Sequence, residues 1–238
     1  MRAVACLPTY NERENLEPML RALGEVLGPD DRVLVIDDAS PDSTGDLADR
    51  LAAELSFVDV LHRPAKQGIG PAYIAGFRRA LSAGAELILE LDCDFSHDPA
   101  DVPRLIAAAE DADLVLGSRY VQGGTVRNWG LVRRAISRGG SLYAQLVLGL
   151  PIRDLTGGFK CYRRAVLEGI DLDAVSSLGY AFQIETTYRA LRAGFRAVEV
   201  PITFVDREVG GSKMSRGIVL EAIWKVPALR LAARRGRL

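Results

Sequence analysis

Leu87-Ile-Leu-Glu-Leu-Asp-Cys-Asp-Phe-Ser-His-Asp-Pro99 decides how this chain is read. It opens as an apolar run of strand length and ends in two carboxylates one residue apart, Asp92 and Asp94. Pro99 then opens a helix, and Asp98 beside it fits the N-cap role. Ligands of open α/β sheets lie outside the carboxyl ends of the strands, so acids placed there face a ligand rather than the core. Two carboxylates with one residue between them can share a hard cation and hold it against a diphosphate. With Asp98 capping, neither Asp92 nor Asp94 is needed for that task. A phosphatase with an aspartyl nucleophile also carries Asp-x-Asp after a strand. That pattern wants Thr or Val next but one, near the N-terminus; here Ser96 follows, mid-chain.

On either side of this stretch, strand and helix signals alternate. Val4–Leu7 reads as a buried strand, followed by Pro8-Thr-Tyr-Asn-Glu12 and a helical pattern through Leu16, Leu20, Leu23 and Leu27 that Gly28-Pro29 stops. Arg32–Ile36 is a second strand, continuous in its apolar residues as parallel strands tend to be, and it too ends in acids, Asp37 and Asp38. Phe57–Leu61 is a third strand, Gly68–Leu81 a helix, Val102–Glu110 another helix and Asp113–Gly117 a fifth strand. This alternation predicts a doubly wound, mostly parallel α/β sheet with helices on both faces. The loop Lys66–Tyr73 begins like a dinucleotide fingerprint with Gly68 and Gly70. Its third glycine position holds Tyr73 and it follows the third strand, so a nicotinamide cofactor is excluded and the loop is read as backbone approaching a ligand.

After Gly117 the alternation ends. Loops rich in Gly, Arg and aromatics run from Ser118 to Gly124 and from Asn128 to Arg134, before a helix over about 133–148. Asp154–Phe159 reads as a glycine turn into a strand ending at Tyr162, 179–193 as a helix, and 197–205 as a strand pair broken by Pro201. The second half is expected to complete the same domain. From Lys213 onward, seven basic residues stand against the single acid Glu221, with apolar residues at helical spacing beside Trp224. Such a stretch suits a membrane interface or a core-packed helix with a solvated tail, and both readings stay open. The expected division is residues 1–212 as the main domain and 213–238 as a basic amphipathic helix.

Bulk composition adds exclusions. At 238 residues, 48% hydrophobic, 26% charged and net charge −1, the chain is an ordinary globular protein with no basic surface for nucleic acid. Cys6, Cys93 and Cys161 lack metal-ligand spacing and are read as free thiols of a reducing compartment. No stretch is apolar and long enough to span a bilayer, and no signal peptide is visible.

Glu12, Asp37/Asp38 and Asp92/Asp94 thus end or follow consecutive strands of one sheet edge, while Arg119, Arg133, Arg207 and Lys213 lie in loops of the second half. Metal on one side and arginines on the other suit two phosphorylated substrates at once. Arg133-Arg134-Ala-Ile-Ser137 also has the look of a kinase site, although basic residues opening a helix explain it equally well.

Pro8-Thr-Tyr-Asn-Glu12, Asp37-Asp38-Ala-Ser-Pro-Asp42 and Asp92-Cys-Asp94 together resemble a family 2 glycosyltransferase of the GT-A fold. Gly117-Ser-Arg-Tyr120, Trp129 with Arg133 and Ser137, Asp154–Phe159 and Val205–Met214 are similar to dolichol-phosphate or polyprenol-phosphate mannose synthases. The resemblance spans about residues 3 to 214. It implies transfer of mannose from GDP-mannose to a polyprenyl phosphate, with inversion, using Mg²⁺ or Mn²⁺. Pro8, Tyr10, Glu12, Ile36 and Asp38 would hold guanosine. Asp92 and Asp94 would hold metal and diphosphate, with the Cys93 backbone close by. Arg207 and Lys213 would bind donor phosphates, and Arg119 and Arg133 the acceptor phosphate. Asp94, Arg119 and Arg133 are accordingly the expected catalytic residues. Ser96 stands where some relatives place Gln as a further metal ligand, and its hydroxyl or a water would substitute. The resemblance also implies a protein peripheral to the cytoplasmic face of a membrane, with or without a membrane-embedded partner. The rival readings are the same fold with another donor, such as UDP-glucose, and a non-catalytic subunit; the intact acid pairs speak against the second.

Overall fold

The computed structural model describes residues 1–177, 179–206 and 216–235. In chain order the elements are β1 (Ala3–Thr9), α1 (Arg13–Val26), β2 (Arg32–Asp37), α2 (Thr44–Glu54), β3 (Val58–His62), α3 (Ile69–Ser82), β4 (Leu87–Glu90), a 3-10 turn (Pro99–Asp101) and α4 (Val102–Ala108). Then follow β5 (Leu114–Ser118), β6 (Thr125–Arg127), α5 (Leu131–Leu148), β7 (Lys160–Arg163), α6 (Arg164–Gly169), α7 (Tyr180–Arg192), β8 (Ala197–Pro201), β9 (Thr203–Val205) and α8 (Arg216–Arg234).

Seven strands form one sheet in the order β3-β2-β1-β4-β7-β5-β8. All neighbours are parallel except β7, which runs antiparallel to both β4 and β5. The mostly parallel α/β sheet expected from the alternation is present, and the second half completes it through β7 and β8 on either side of β5. Strand order turns at β1: β2 and β3 extend to one side, β4 to the other. Crevices form at such switch points, outside the carboxyl ends of the strands.

Side chains alternate along β1 in the way a sheet covered on both faces requires. Ala3, Ala5 and Leu7 pack with Leu16, Met19, Leu20 and Leu23 of α1, while Val4 and Cys6 pack with Tyr73 and Phe77 of α3. The α1 residues recur at the spacing of one helix face. One expectation is corrected. The strand pair foreseen over 197–205 is two strands in different sheets, β8 on β5 and β9 on β6. The three-residue β6 and the short α6 went unforeseen because neither is long enough to show a period. The C-terminal α8 packs against α5 and α7 and buries Val226 and Leu229 in the core. Tyr143 Oη and Lys225 Nζ tie it down further, donating to Ile223 O at 2.8 Å and Ser176 Oγ at 2.7 Å.

A buried acid and a buried lysine lie opposite each other inside the sheet. Glu90 on β4 and Lys160 on β7 are register partners, and both are fully buried. Lys160 Nζ donates to Gln183 O at 2.8 Å, and Tyr162 Oη donates to Glu90 Oε1 at 3.2 Å. Burial pushes Glu90 up to about 7, with Lys160 opposing the shift, and pushes Lys160 down to about 8.

Two predictions follow from packing and burial. A Cβ at Gly70 would lie 2.5 Å from the Ser177 carbonyl and 2.9 Å from the Phe182 ring. Gly70→Ala is expected to cost about 1–3 kcal/mol, seen as a thermal midpoint lowered by about 2–4 °C per kcal/mol; an unchanged midpoint would show that this contact yields. For Glu90, the folded chain keeps its proton up to about pH 7 while the unfolded chain loses it near 4.5. Its contribution to stability therefore declines as pH rises through that window. Glu90→Gln should remove that decline, gaining on the parent by an amount on the order of a few kcal/mol between pH 5 and 8. Urea unfolding at both pH values measures it; parallel shifts would show Glu90 ionised throughout.

Candidate functional site

The carboxyl ends of β2, β1 and β4 lie side by side, with Pro8 opposite Ile36 and Thr9 opposite Asp37. The loops after these strands hold non-glycine residues in the left-handed region: Asn11 at φ 56° after β1, Ala39 at 54° and Ser43 at 63° after β2, and Phe95 at 58° after β4. For Ala and Phe this is costly backbone, and such residues persist where surrounding structure holds them for a purpose. The same three loops carry the acids.

Each acid is already engaged by the fold. Glu12 Oε2 accepts from Asn15 Nδ2 at 2.9 Å, and its backbone N–H donates to Thr44 Oγ1 at 3.1 Å. Asp37 accepts from Thr9 Oγ1 and from the Ser40 N–H and hydroxyl, so it braces the loop. Asp38 receives Arg63 Nη1 at 2.5 Å; burial raises its pKa while Arg63 pulls it back. Lys66 places its ammonium 3.8 Å from the centre of the Tyr10 ring. Arg63 and Lys66 were not foreseen, because basic residues after a strand read as solvated. Ile36 and Cys93 turn their side chains into the two cores, so each presents only its backbone to a ligand.

Asp98 does cap, its Oδ1 accepting from Ala100 N at 2.9 Å, which leaves Asp92 and Asp94 outside that role. Asp94 Oδ1 accepts the Ser96 N–H at 3.0 Å, which folds Ser96 back beside the pair. The Asp92 N–H donates to His97 Nδ1 at 3.3 Å. His97 is buried, and burial lowers its pKa to about 4, so it is the neutral imidazole that accepts this bond. Its ring stacks on Phe159 at 5.0 Å and meets Phe204 edge-on at 5.3 Å. The donor set of Asp92, Asp94 and Ser96 consists of hard oxygens and fits Mg²⁺ or Mn²⁺. Among the described residues no three His, Cys, Asp or Glu side chains form a closed cage.

The structure brings Arg119 and Arg133 together around one ring. Their guanidinium carbons lie 5.5 and 4.4 Å from the centre of Trp129. Arg119 forks onto Asp154, Nε to Oδ2 at 2.7 Å and Nη2 to Oδ1 at 2.6 Å, with both side chains buried. Arg133 Nη1 contacts both oxygens of Asp206, at 2.7 and 2.8 Å. Phe204 packs edge-on to Trp129 at 5.1 Å and touches His97 on its other side, so the acidic loop and the arginine cluster share a wall. Arg207 and Lys213 lie outside the described residues. Sequence reading missed His97, Asp154 and Asp206. The acidic residue in the Asp154 glycine turn and the one closing the strand before Arg207 were the available signals.

Residues 4–171, more than half of the chain, match the family described as Glycosyl transferase family 2. A curated relative from Micrococcus luteus, undecaprenyl-phosphate mannosyltransferase, is 53% identical over 98% of this chain and 96% of its own length. Another from Mycolicibacterium smegmatis, polyprenol monophosphomannose synthase, is 50% identical over 94% of this chain and 85% of its own. Among solved structures, glucosyl-3-phosphoglycerate synthase from Mycobacterium tuberculosis in complex with Mg²⁺ and uridine-diphosphate superposes with a TM-score of 0.67. That comparison covers 99% of this chain and 79% of the other at 19% identity, and it bears on the fold. A second structure of that enzyme, with phosphoglyceric acid, gives 0.67 over 94% of this chain and 80% of the other, also at 19% identity. With its sheet, its acidic strand ends and these matches in agreement, the chain belongs to Glycosyl transferase family 2, has the GT-A fold, and within that family resembles the polyprenol-phosphate mannose synthases.

Proposed function

We propose that this chain transfers mannose from GDP-mannose to a polyprenyl phosphate, with inversion at the anomeric carbon. One observation carries the reading. A carboxylate pair at a strand end and an arginine pair around Trp129 face a shared wall, in a chain half identical to relatives named for mannosyl transfer to polyprenyl phosphates. Pro8, Tyr10, Glu12, Ile36 and Asp38 hold the guanosine, Ile36 through its backbone. Arg207 and Lys213 bind donor phosphates. Residues 1–212 are the catalytic unit and 213–238 its basic helix.

The chemistry asks little of a general base. The second pKa of a phosphate monoester is about 6, so the acceptor oxygen is already anionic near neutral pH. Arg119, held rigid by Asp154, and Arg133 align that oxygen behind the anomeric carbon. Asp92, Asp94 and Ser96 would hold the divalent ion, Mg²⁺ or Mn²⁺, which supplies charge neutralisation at the departing diphosphate. His97 keeps the Asp92 backbone in place without adding a charge.

The acceptor is a lipid, and the surface suits a membrane. No helix among the described residues is long and apolar enough to cross one. On α5, Leu131, Val132, Ile136, Leu142 and Leu146 are exposed beside the exposed Arg134 and Arg138, and α8 adds Trp224. Apolar side chains flanked by arginines suit an anionic bilayer surface. The protein then sits on the cytoplasmic face of the membrane, alone or beside a membrane-embedded partner.

Sugar transfer to a short polyprenyl phosphate, with GDP-mannose or UDP-glucose and with Mg²⁺, Mn²⁺ or EDTA, tests the reaction. Metal-dependent transfer from GDP-mannose alone is expected, and Asp94→Ala should lower kcat by about 10²–10³ or more. Preference for UDP-glucose would discard the mannose assignment, and near-normal turnover of Asp94→Ala would remove the metal role. For the membrane, flotation with vesicles is the measurement. Binding to anionic vesicles should exceed binding to neutral ones, and Val132→Asp with Trp224→Asp should weaken it by about tenfold. Substitution is preferable to truncation, because removing α8 would strip Val226 and Leu229 from the core. Equal flotation of the variant would place the contact elsewhere.

A further inference from the structure

Among the described residues, the indole N–H of Trp129 is buried and has no hydrogen-bond partner. A buried donor without an acceptor carries an uncompensated desolvation cost, and native structures rarely keep one without a reason. Its surroundings are cationic, with Arg133 over the ring at 4.4 Å and Arg119 at 5.5 Å. A donor between two guanidinium groups is suited to an anion.

The two arginines are held differently. Arg119 uses two nitrogens on the two oxygens of Asp154, a fork sealed from solvent at 5% and 0% side-chain exposure. Arg133 offers Asp206 a single nitrogen, and that pair is 23% and 28% exposed. Asp206 is itself fixed: its N–H donates to Arg127 O at 3.2 Å, at the end of the β6–β9 ribbon. Arg119 therefore belongs to the frame, and the Arg133–Asp206 pair is the contact that can exchange.

We propose that the Asp206 carboxylate competes with the acceptor phosphate for Arg133, and that the Trp129 indole N–H is a further donor to that phosphate. This rests on the reading of Arg119 and Arg133 as the acceptor-phosphate residues. The competition favours the substrate over the product. A phosphate monoester carries three terminal oxygens and a total charge of about −1.5 to −2 near pH 7. It outbids a carboxylate of one charge and two oxygens, and it can reach Arg133 and the indole together. In transfer, one phosphate oxygen bonds to the anomeric carbon as the bond from that carbon to the GDP leaving oxygen breaks. The product is then a diester with one charge and two terminal oxygens, no better matched to Arg133 than Asp206 is. Asp206 retakes Arg133, and the product leaves.

Calorimetric titration with farnesyl monophosphate and with its methyl diester tests this on the full chain. The parent should bind the monoester at least about tenfold more tightly than the diester. Asp206→Asn keeps the shape and removes the charge; it should tighten both ligands, the diester more, and narrow the gap. Trp129→Phe keeps an aromatic ring and removes the N–H; it should weaken the monoester by about tenfold. Thermal melts matching the parent confirm folding of each variant. If Asp206→Asn weakens the monoester as Arg133→Ala does, Asp206 merely orients Arg133 and the competition is overturned. An unchanged gap together with parent-like binding by Trp129→Phe overturns the inference while leaving the acceptor reading intact. Failure of the parent to bind either ligand overturns both.

Discussion

Carboxylates crowd the edge where β2, β1 and β4 end, and the surrounding structure is arranged to make that crowding tolerable. Like charges a few ångströms apart in a partly desolvated cleft repel strongly. Each acid is answered separately. Asp37 is absorbed by Thr9 and Ser40, Asp38 by Arg63, Glu12 by Asn15, and Asp94 by a backbone amide. These bonds fix the direction of each carboxylate, so the cleft is shaped before any ligand arrives. They also explain the left-handed Asn11, Ala39 and Phe95. A chain that must turn sharply after each strand and still aim an acid outward has few relaxed conformations left.

The fold was legible because parallel strands buried on both faces are written as short apolar runs, and acids at their ends break those runs where the strands stop. Arg32–Ile36 and Leu87–Leu91 carry this signature, and Val4–Leu7 carries the apolar run with its acid, Glu12, further on. The acidic half of the site was legible for the same reason. The cationic half was only half legible. Arg119 and Arg133 stood out in their loops, but nothing local told that Arg119 would be sealed onto Asp154, 35 residues away, or Arg133 onto Asp206, 73 away. His97 sat inside the deciding stretch and was still missed, since its partners Phe159, before β7, and Phe204, on β9, are distant in sequence. Glu90 was hidden by position: within an apolar strand it reads as tolerated surface, and its Lys160 partner lies on a strand that only the sheet brings alongside.

The contrast between the two halves has a physical basis. Acids at strand ends are placed by backbone topology, which hydrophobic periodicity encodes. Arginine partners are placed by loop closure over long separations, which no periodicity encodes. The C-terminal helix shows the same limit in apolar residues. Val226, Leu229 and Trp224 sit close together in sequence, yet the first two are buried and the third is 77% exposed. Composition showed an amphipathic helix. Only packing on α5 and α7 decides which side is the core.

Phe159, His97, Phe204 and Trp129 form a continuous line of ring contacts between the carboxylates and the arginines, with centroid separations of 5.0, 5.3 and 5.1 Å. A neutral histidine is the right residue at the acidic end of that line. Its Nδ1 accepts the Asp92 N–H, and it adds no positive charge that would compete with a cation for Asp92 and Asp94. Closely packed rings yield little, so a shift of Trp129 or Phe204 displaces His97 and with it the Asp92 backbone. An in-line displacement needs the attacking oxygen and the leaving diphosphate held at a fixed separation, and error in either position lowers the rate. In the proposed transfer the aromatic line sets that separation with packing rather than with charge, so its length is insensitive to salt.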